Sequence, residues 1–395
     1  MIPLANLPHP SLSSLPMVSP ILFPQQVITT ASQRILTVML VLLSSLTMVQ
    51  AQRDFCIASY NVENLFDCED DPATDDNAFL PTAPRHWSRS RMWHKLQCIS
   101  KTIISMGNDT PPDIVALAET ENDSVLTLLT QRSVLRRAGY RFVITNSNDR
   151  RGIDVALLYQ PSTFRLLAYE SIPVNFGHMP PRPTRDILHV QGITFTGDTL
   201  LIYVCHLSSK LGGAGLTGKY RRVEALTVAH HLDSLLTVCY PTAHAVVLGD
   251  FNEEPHELPV THALQALPCT DTATVLPHRL YYTIPSVASC HPEVKGSYRY
   301  QGHWQLIDRM FVSGSLLNGQ SALQTHPSSF HIHCPSFLLK KDDVYGGVQP
   351  FRTYNGFRYQ AGFSDHLPVF LKLKSSLRQK ESTPVPQQRG SIKIK

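Results

Sequence analysis

Asp250 and Asn252 stand two residues apart in the stretch A-V-V-L-G-D-F-N-E-E-P, which spans Ala245–Pro255. Ala245–Leu248 is a short apolar run of the kind that makes a buried strand, and Gly249 is expected to stop it. An acid and an amide at the end of a buried strand are costly unless they have partners or a task. In extended chain, residues two apart point the same way. One carboxylate and one amide on one face can hold a metal ion, or a water held by it, against a phosphate. The plainer alternative is an Asp-Asn turn, which is common after a strand.

The same arrangement recurs along the chain. Apolar runs end at Asn61, Glu119, His206, Asp250 with Asn252, Asp308, and Asp365 with His366. Turn chemistry favours Asn, Asp and Gly but does not select Glu119 or His206. In a sheet protein such ends can gather on one rim. No serine sits in a G-x-S-x-G elbow and no P-loop occurs. Cys205 and His206 are adjacent, so in a strand they face opposite ways and cannot form a dyad. Carboxylates, amides and imidazoles remain. They suit a hard, oxygen-ligated cation such as Mg²⁺, with water as the attacking group.

These residues need strands to present them. Extended segments are expected at 55–60, 114–118, 141–145, 153–159, 164–169, 187–195, 200–204, 245–248, 305–312 and 369–373. Helices are expected at 87–104, where Met92, Leu96, Ile99 and Ile103 share a face, and at 124–137, 219–236 and 261–267. Many strands with a few long helices between them predict an α/β fold. The expectation is a four-layer α/β/β/α sandwich, with two packed mixed β-sheets flanked by helices. No linker interrupts 54–374. Apolar residues make up 43% of the 395, which is a globular composition. A net charge of +4 is too mild to argue for nucleic acid by itself.

The ends read differently. Residues 1–33 are rich in Pro and Ser; Arg34 and an apolar run then lead to Ala51. That order has the shape of a secretory signal, so 1–51 is an N-terminal extension plus signal peptide, with an uncleaved membrane anchor as the alternative. A secreted or periplasmic protein follows from this reading. Residues 375–395 read as a disordered basic tail. Of the eight cysteines, Cys56, Cys205 and Cys239 look like core filler, and Cys269 with Cys290 could bridge.

Six blocks then share one pattern. S-Y-N-V-E-N-L-F, A-L-A-E-T-E, C-H-L-S-S-K, L-G-D-F-N-E-E-P, L-I-D-R-M-F-V-S and F-S-D-H-L-P-V resemble, in order, the signature blocks of the endonuclease/exonuclease/phosphatase (DNase I-like) superfamily. The resemblance covers about 54–374, so 52–374 is the expected catalytic domain. It implies that Glu119 is the main metal ligand, with Asn61 and Asp365 near the same ion. It implies that Asp250 and Asn252 position the attacking water and a phosphate oxygen. His366 becomes a general base or electrostatic partner of the phosphate, and Asp308 holds its other ring nitrogen. His206 becomes a phosphate or leaving-group contact. Plainer roles stay open for Asn61 as a turn cap and for Asp308 as a salt-bridge partner of Arg309.

The implied cofactor is Mg²⁺, with Mn²⁺ or Ca²⁺ as alternatives. The implied partner is a phosphodiester substrate, nucleic acid among the candidates, bound by a monomer without a stable protein partner. Arg151, Lys210 and Arg222 are candidate substrate contacts. Two aromatic-basic clusters, Arg85-His86-Trp87 with Arg89 and Arg91, and Tyr298-Arg299-Tyr300 with His303 and Trp304, could follow a nucleic-acid backbone. A phospholipid or phosphoinositide hydrolase is the second reading; no clear exposed apolar hairpin supports it. A binding protein without catalysis is a remote third.

Overall fold

A computed structural model describes residues 54–375, apart from 108–109, 270–271, 283 and 286–290. The signal-peptide reading and nearly all of the tail reading lie outside the described residues. Ser375 is the exception, because it ends the strand Val369–Ser375 and pairs with Leu323.

Two seven-stranded mixed sheets form the body. In the first, Val369–Ser375, Asp54–Leu65, Ile114–Thr120, Asp154–Tyr159 and Arg141–Ile144 lie side by side in that order. In the second, the order is Phe164–Ile172, Ile187–Thr194, Thr199–His206, His244–Asp250, Asp308–Ser313, Leu280–Tyr282 and Leu267–Pro268. Each sheet has one parallel pair near its middle: Asp54–Leu65 with Ile114–Thr120, and Thr199–His206 with His244–Asp250. Parallel strands need cover on both faces, which is why these segments are apolar almost without a break.

Alternate residues serve different layers. Phe55, Ile57, Ala116, Ala118, Ile202, Val204, Val246 and Leu248 fill the space between the sheets. Ala58, Tyr60, Val115 and Leu117 face outward onto Met92, Leu96, Ile99 and Ile103 of the helix Arg89–Met106. Leu201, Tyr203, Cys205, Ala245 and Val247 face Ala225, Val228 and Leu232 of the helix Ala214–Ser234. The four-layer α/β/β/α sandwich is therefore the observed architecture.

Several local expectations change. The 124–137 helix is only Asp123–Thr127, followed by a wide turn and a 3-10 turn to Ala138. Thr130 and Ser133 donate their hydroxyls to the carbonyls of Leu126 and Leu129, which competes with helix continuation. Gly249 does not stop its strand, which runs to Asp250. It is instead the position where the parallel neighbour comes closest: at φ 140°, an added Cβ would meet the Cys205 carbonyl oxygen at 1.9 Å. Cys239 is exposed rather than core. Cys290 lies outside the described residues, and Cys334 is disulfide-bonded.

Candidate active site

Parallel pairing sends the ends of four central strands to one rim. His206 is in register with Asp250, and Asp250 with Asp308 across the next, antiparallel pair. In the first sheet Asn61 aligns with Ala118, one residue before Glu119. Ser364–His366 precede the strand that runs antiparallel to Asp54–Leu65, so they arrive at the same rim.

The backbone is distorted where these residues emerge. Glu63, Asn64, Glu119 and Asn252 have φ of 54°, 56°, 65° and 49°. Side chains other than glycine disfavour this left-handed region, at a cost of roughly 1–3 kcal/mol each. The register shifts between Asn61 and Leu65 and between Ala118 and Thr120, so Glu63, Asn64 and Glu119 form facing bulges. Bulges re-aim side chains at sheet edges. Here Asn64 donates its backbone N–H to Glu119 Oε2 at 2.9 Å, which fixes the carboxylate and leaves Oε1 toward His206 Nε2 at 3.8 Å.

Asp250 is the hub. Its Oδ1 accepts the Asn252 backbone N–H at 2.9 Å. Its Oδ2 accepts Asn61 Nδ2 at 3.1 Å and faces His206 Nε2 at 3.7 Å and His366 Nε2 at 3.8 Å. The last two separations are too long for hydrogen bonds, and are the spacing at which a water or phosphoryl oxygen bridges. His366 Nδ1 bonds Asp308 Oδ2 at 2.7 Å, and the His366 backbone N–H donates to Ser364 Oγ at 3.1 Å. Ser364 Oγ in turn donates to the Asn61 carbonyl at 2.7 Å.

Burial sets the charges. It pushes the Asp250 carboxyl up to about 7; the Asp308 charge adds to this, while His366 and the bonds from Asn252 and Asn61 oppose it. Burial alone would lower the His366 imidazole, but the carboxylates of Asp308 and Asp250 outweigh it and hold it well above the usual range. Burial, with Arg185 and Arg151 nearby, holds His206 well below. One imidazole is thus charged and the other neutral, a few ångströms apart.

Seven of the expected residues, Asn61, Glu119, His206, Asp250, Asn252, Asp308 and His366, gather here. Asn252 turns its amide to the Leu207 carbonyl at 3.1 Å rather than into the centre. Asp365 forms an ion pair with Arg352 at 2.6 Å. Arg151 pairs with Asp149 at 3.5 Å and stays half exposed near His206. Lys210 is tied to Glu257, and Arg222 is exposed on the helix Ala214–Ser234. That helix starts at Ala214, so Arg221 is two turns inside it, buried and paired with Glu253 at 3.2 Å. Asp308 does not pair with Arg309.

Other contributors went unread. Buried Arg185 donates to the carbonyls of His206 at 2.8 Å and Leu207 at 2.7 Å, and to Asp149 at 3.0 Å. Glu63 accepts the Thr353 N–H at 2.6 Å and lies 4.0 Å from buried Lys95. Tyr298, singled out above only as part of an aromatic-basic cluster, lays its ring 4.7 Å from that of His366. Lys95 had a signal: a lysine on the apolar side of a helix. Arg185 had none beyond standing before a strand.

The aromatic-basic clusters are partly committed to internal contacts, while His86, Arg89, Tyr300 and His303 stay exposed. Trp87 is buried, and Arg85 lies over Phe79, Tyr354 and Phe357 while donating to the Gly356 carbonyl at 2.7 Å. Arg299 is spent on Asp342 at 3.4 Å and the Gly346 carbonyl at 2.7 Å.

Two packed mixed sheets with carboxylates and imidazoles collected on one rim define a DNase I-like α/β sandwich. The Endonuclease/Exonuclease/phosphatase family model matches residues 56–375, and the chain belongs to that family. Among solved structures, a mannosyl-6-phosphatase from Bacteroides thetaiotaomicron is 16% identical with a TM-score of 0.50, the match covering 81% of this chain and 99% of that one. An endonuclease/exonuclease/phosphatase family protein from the same organism is 15% identical with a TM-score of 0.50, over 82% and 99% of the two chains. A humanized D. rerio TDP2 is 16% identical with a TM-score of 0.48, over 81% and 98%. The two Bacteroides thetaiotaomicron likenesses show the fold. No curated protein matches the chain in sequence.

Proposed function

We propose that this chain is an exported, divalent-metal-dependent hydrolase of phosphodiester bonds, nuclease-like in its substrate. The observation that carries the hydrolase reading is the Asp250 hub, where one buried carboxylate oxygen faces two imidazole nitrogens across 3.7 and 3.8 Å gaps. Export rests on Arg34, the apolar run and Ala51.

The donors fit a hard cation. Glu119 has one carboxylate oxygen free of backbone bonds, and Asp308 Oδ1 is buried without a partner. The Asp250–Asp308–His366 trio lies close enough for an ion, but the 2.7 Å bond between His366 and Asp308 makes it a hydrogen-bonded relay instead. Glu119 and Asn61 would hold the ion, with Asp365 contributing the oxygen that Arg352 leaves open. When bound, the ion neutralises charge on the phosphate and activates water.

The chain's own groups do the rest. His366, charged, is a hydrogen-bond donor to a non-bridging oxygen and cannot serve as the base in that form. Asp250, sitting near neutrality, is suited to take the proton from water. His206, neutral and held by Arg185, offers Nε2 to the phosphate or leaving oxygen. Asp308 fixes the tautomer and charge of His366.

One observation favours the lipid reading as an alternative. Val344 and Tyr345 are 80% and 57% exposed at the tip of the Leu339–Pro350 hairpin. Tyr345 packs against Gly302 beside Tyr300, itself 54% exposed. An exposed aliphatic side chain beside an aromatic one is suited to rest on acyl chains.

The test uses residues 52–395, wild type beside Asp250→Ala, with Mg²⁺ or EDTA. Plasmid DNA, RNA, bis-p-nitrophenyl phosphate, sphingomyelin vesicles and mannose 6-phosphate are offered in parallel. Mg²⁺-dependent cleavage of DNA or RNA that Asp250→Ala loses is expected. Cleavage of sphingomyelin alone selects the second reading. Activity equal in wild type and Asp250→Ala refutes the site.

A further inference from the structure

A second cluster of metal-type ligands lies away from the rim, under the helix of the second sheet. Glu170, His189 and Tyr203 are cross-strand neighbours, in register on three adjacent strands. His231 comes down onto them from the helix Ala214–Ser234. His189 Nδ1 lies 2.9 Å and His231 Nε2 3.2 Å from the same oxygen, Glu170 Oε1. All three ligand atoms fall within 4.8 Å of one another.

This spacing is what a small tetrahedral ion requires. Ligands held about 2.0–2.1 Å from zinc stand about 3.3 Å apart. The supporting shell is present too. Tyr203 Oη sits 2.8 Å from His231 Nδ1, so it can accept that N–H and leave Nε2 with its lone pair inward. The His189 ring stacks on Tyr203 with centroids 4.7 Å apart, which fixes its plane.

His189 is buried, and the nitrogen it aims at Glu170 is Nδ1. The Glu170 side chain is 51% exposed, which leaves an approach from solvent and a fourth position for water.

We propose that Glu170, His189 and His231 form a second metal site, for a borderline cation of the zinc class, that pins the edge strand Phe164–Ile172 to the helix Ala214–Ser234. Two imidazoles and a carboxylate select such an ion over Mg²⁺, which prefers oxygen alone. The inference does not depend on the hydrolase reading.

The probe is Co²⁺, titrated into the chelator-stripped full chain in excess Mg²⁺. Four-coordinate Co²⁺ absorbs far more strongly in the visible than six-coordinate Co²⁺. One equivalent should give the strong band, and Zn²⁺ should displace it. Glu170→Gln, half exposed and close in shape, and His231→Ala should each bind at least tenfold more weakly, with circular dichroism unchanged. Tyr203→Phe should weaken binding by about tenfold, as loss of an outer-shell partner does. Asp250→Ala should keep the band. A wild type without the band, or a band that survives both Glu170→Gln and His231→Ala, overturns the proposal. So does a band lost in Asp250→Ala, because it would then belong to the rim.

Discussion

Asp308→Asn isolates the charge that Asp308 places beside His366. Asparagine keeps the volume, and its Oδ1 can still accept from His366 Nδ1 across the 2.7 Å gap. Only the negative charge is lost. A hydrogen bond to a charged group contributes about 1.5–3 kcal/mol, against about 1 kcal/mol for a neutral one. The difference, about 0.5–2 kcal/mol, falls on the imidazolium. If that form assists the transition state, kcat/KM drops roughly 2–30-fold.

The pH dependence separates this account from a merely structural one. His366 is held well above the usual range by Asp308 and Asp250 working against burial. Removing one carboxylate lowers it by about one unit for each 1.36 kcal/mol. The charged fraction in the variant then falls at alkaline pH and recovers toward acid. Initial rates on bis-p-nitrophenyl phosphate in Mg²⁺, from pH 6 to pH 8.5, should show a wild-type to variant ratio that shrinks as pH falls. Because Asp308 also helps raise Asp250, the comparison is decided on the alkaline limb, where Asp250 is ionised in both proteins. Adding Asp308→Asn to His366→Gln should cost nothing further, because the two act as one unit. A ratio that stays flat with pH, or losses that simply add, would refute the relay.

Gly249→Ala should destabilise by about 3 kcal/mol or more, since left-handed strain and overpacking each cost about 1–3 kcal/mol; the 1.9 Å approach to the Cys205 carbonyl allows no easy relief. Thermal melts should fall by roughly 4–9 °C, and an unchanged Tm would contradict the packing. Burial pushes His333 down to about 4, so the folded state binds fewer protons than the unfolded one below the ordinary value of 6.5. Stability from this group is therefore full above pH 6.5 and declines as pH falls toward 4, by roughly 3 kcal/mol at most. His333→Gln should flatten that limb in urea melts at pH 7 and pH 4.5; an acid limb as steep as wild type would sink the assignment. Arg185→Lys cannot reproduce a fork that reaches two carbonyls and Asp149. It should lower kcat about tenfold with little change in KM, as steady-state rates will tell.

What was legible in the sequence was the strand ends. A buried parallel strand is an apolar run that stops abruptly, so Asn61, Glu119, His206 and Asp250 stood out against their neighbours. Period-two alternation also set the faces correctly: Cys205 packs under the helix while His206 enters the site. The supporting residues were hidden because their partners are remote. Glu63 bonds a backbone N–H 290 positions away, and Arg185 bonds carbonyls 21 and 22 positions away. No local pattern encodes such pairs. Within the aromatic-basic clusters the same remoteness hid that Arg85 and Arg299 each satisfy carbonyls from distant loops.

The site is divided between the two sheets. Asn61, Glu119 and His366 come from the first; His206, Asp250 and Asp308 come from the second. Bonds join the halves, among them Asn61 to Asp250 and His366 to Asp308. Behind them the sheets pack through the apolar layer of Val204, Leu248, Ile57 and Ala118. Packed interiors deform little, so that layer sets the spacing at which Asp250 faces both imidazoles. The strained bulges at Glu63, Asn64 and Glu119 persist for the same reason, because the rigid sheets on either side leave those residues no other exit. The chemistry at the rim is thus a consequence of how two sheets pack, and the buried apolar residues govern it as surely as the charged ones.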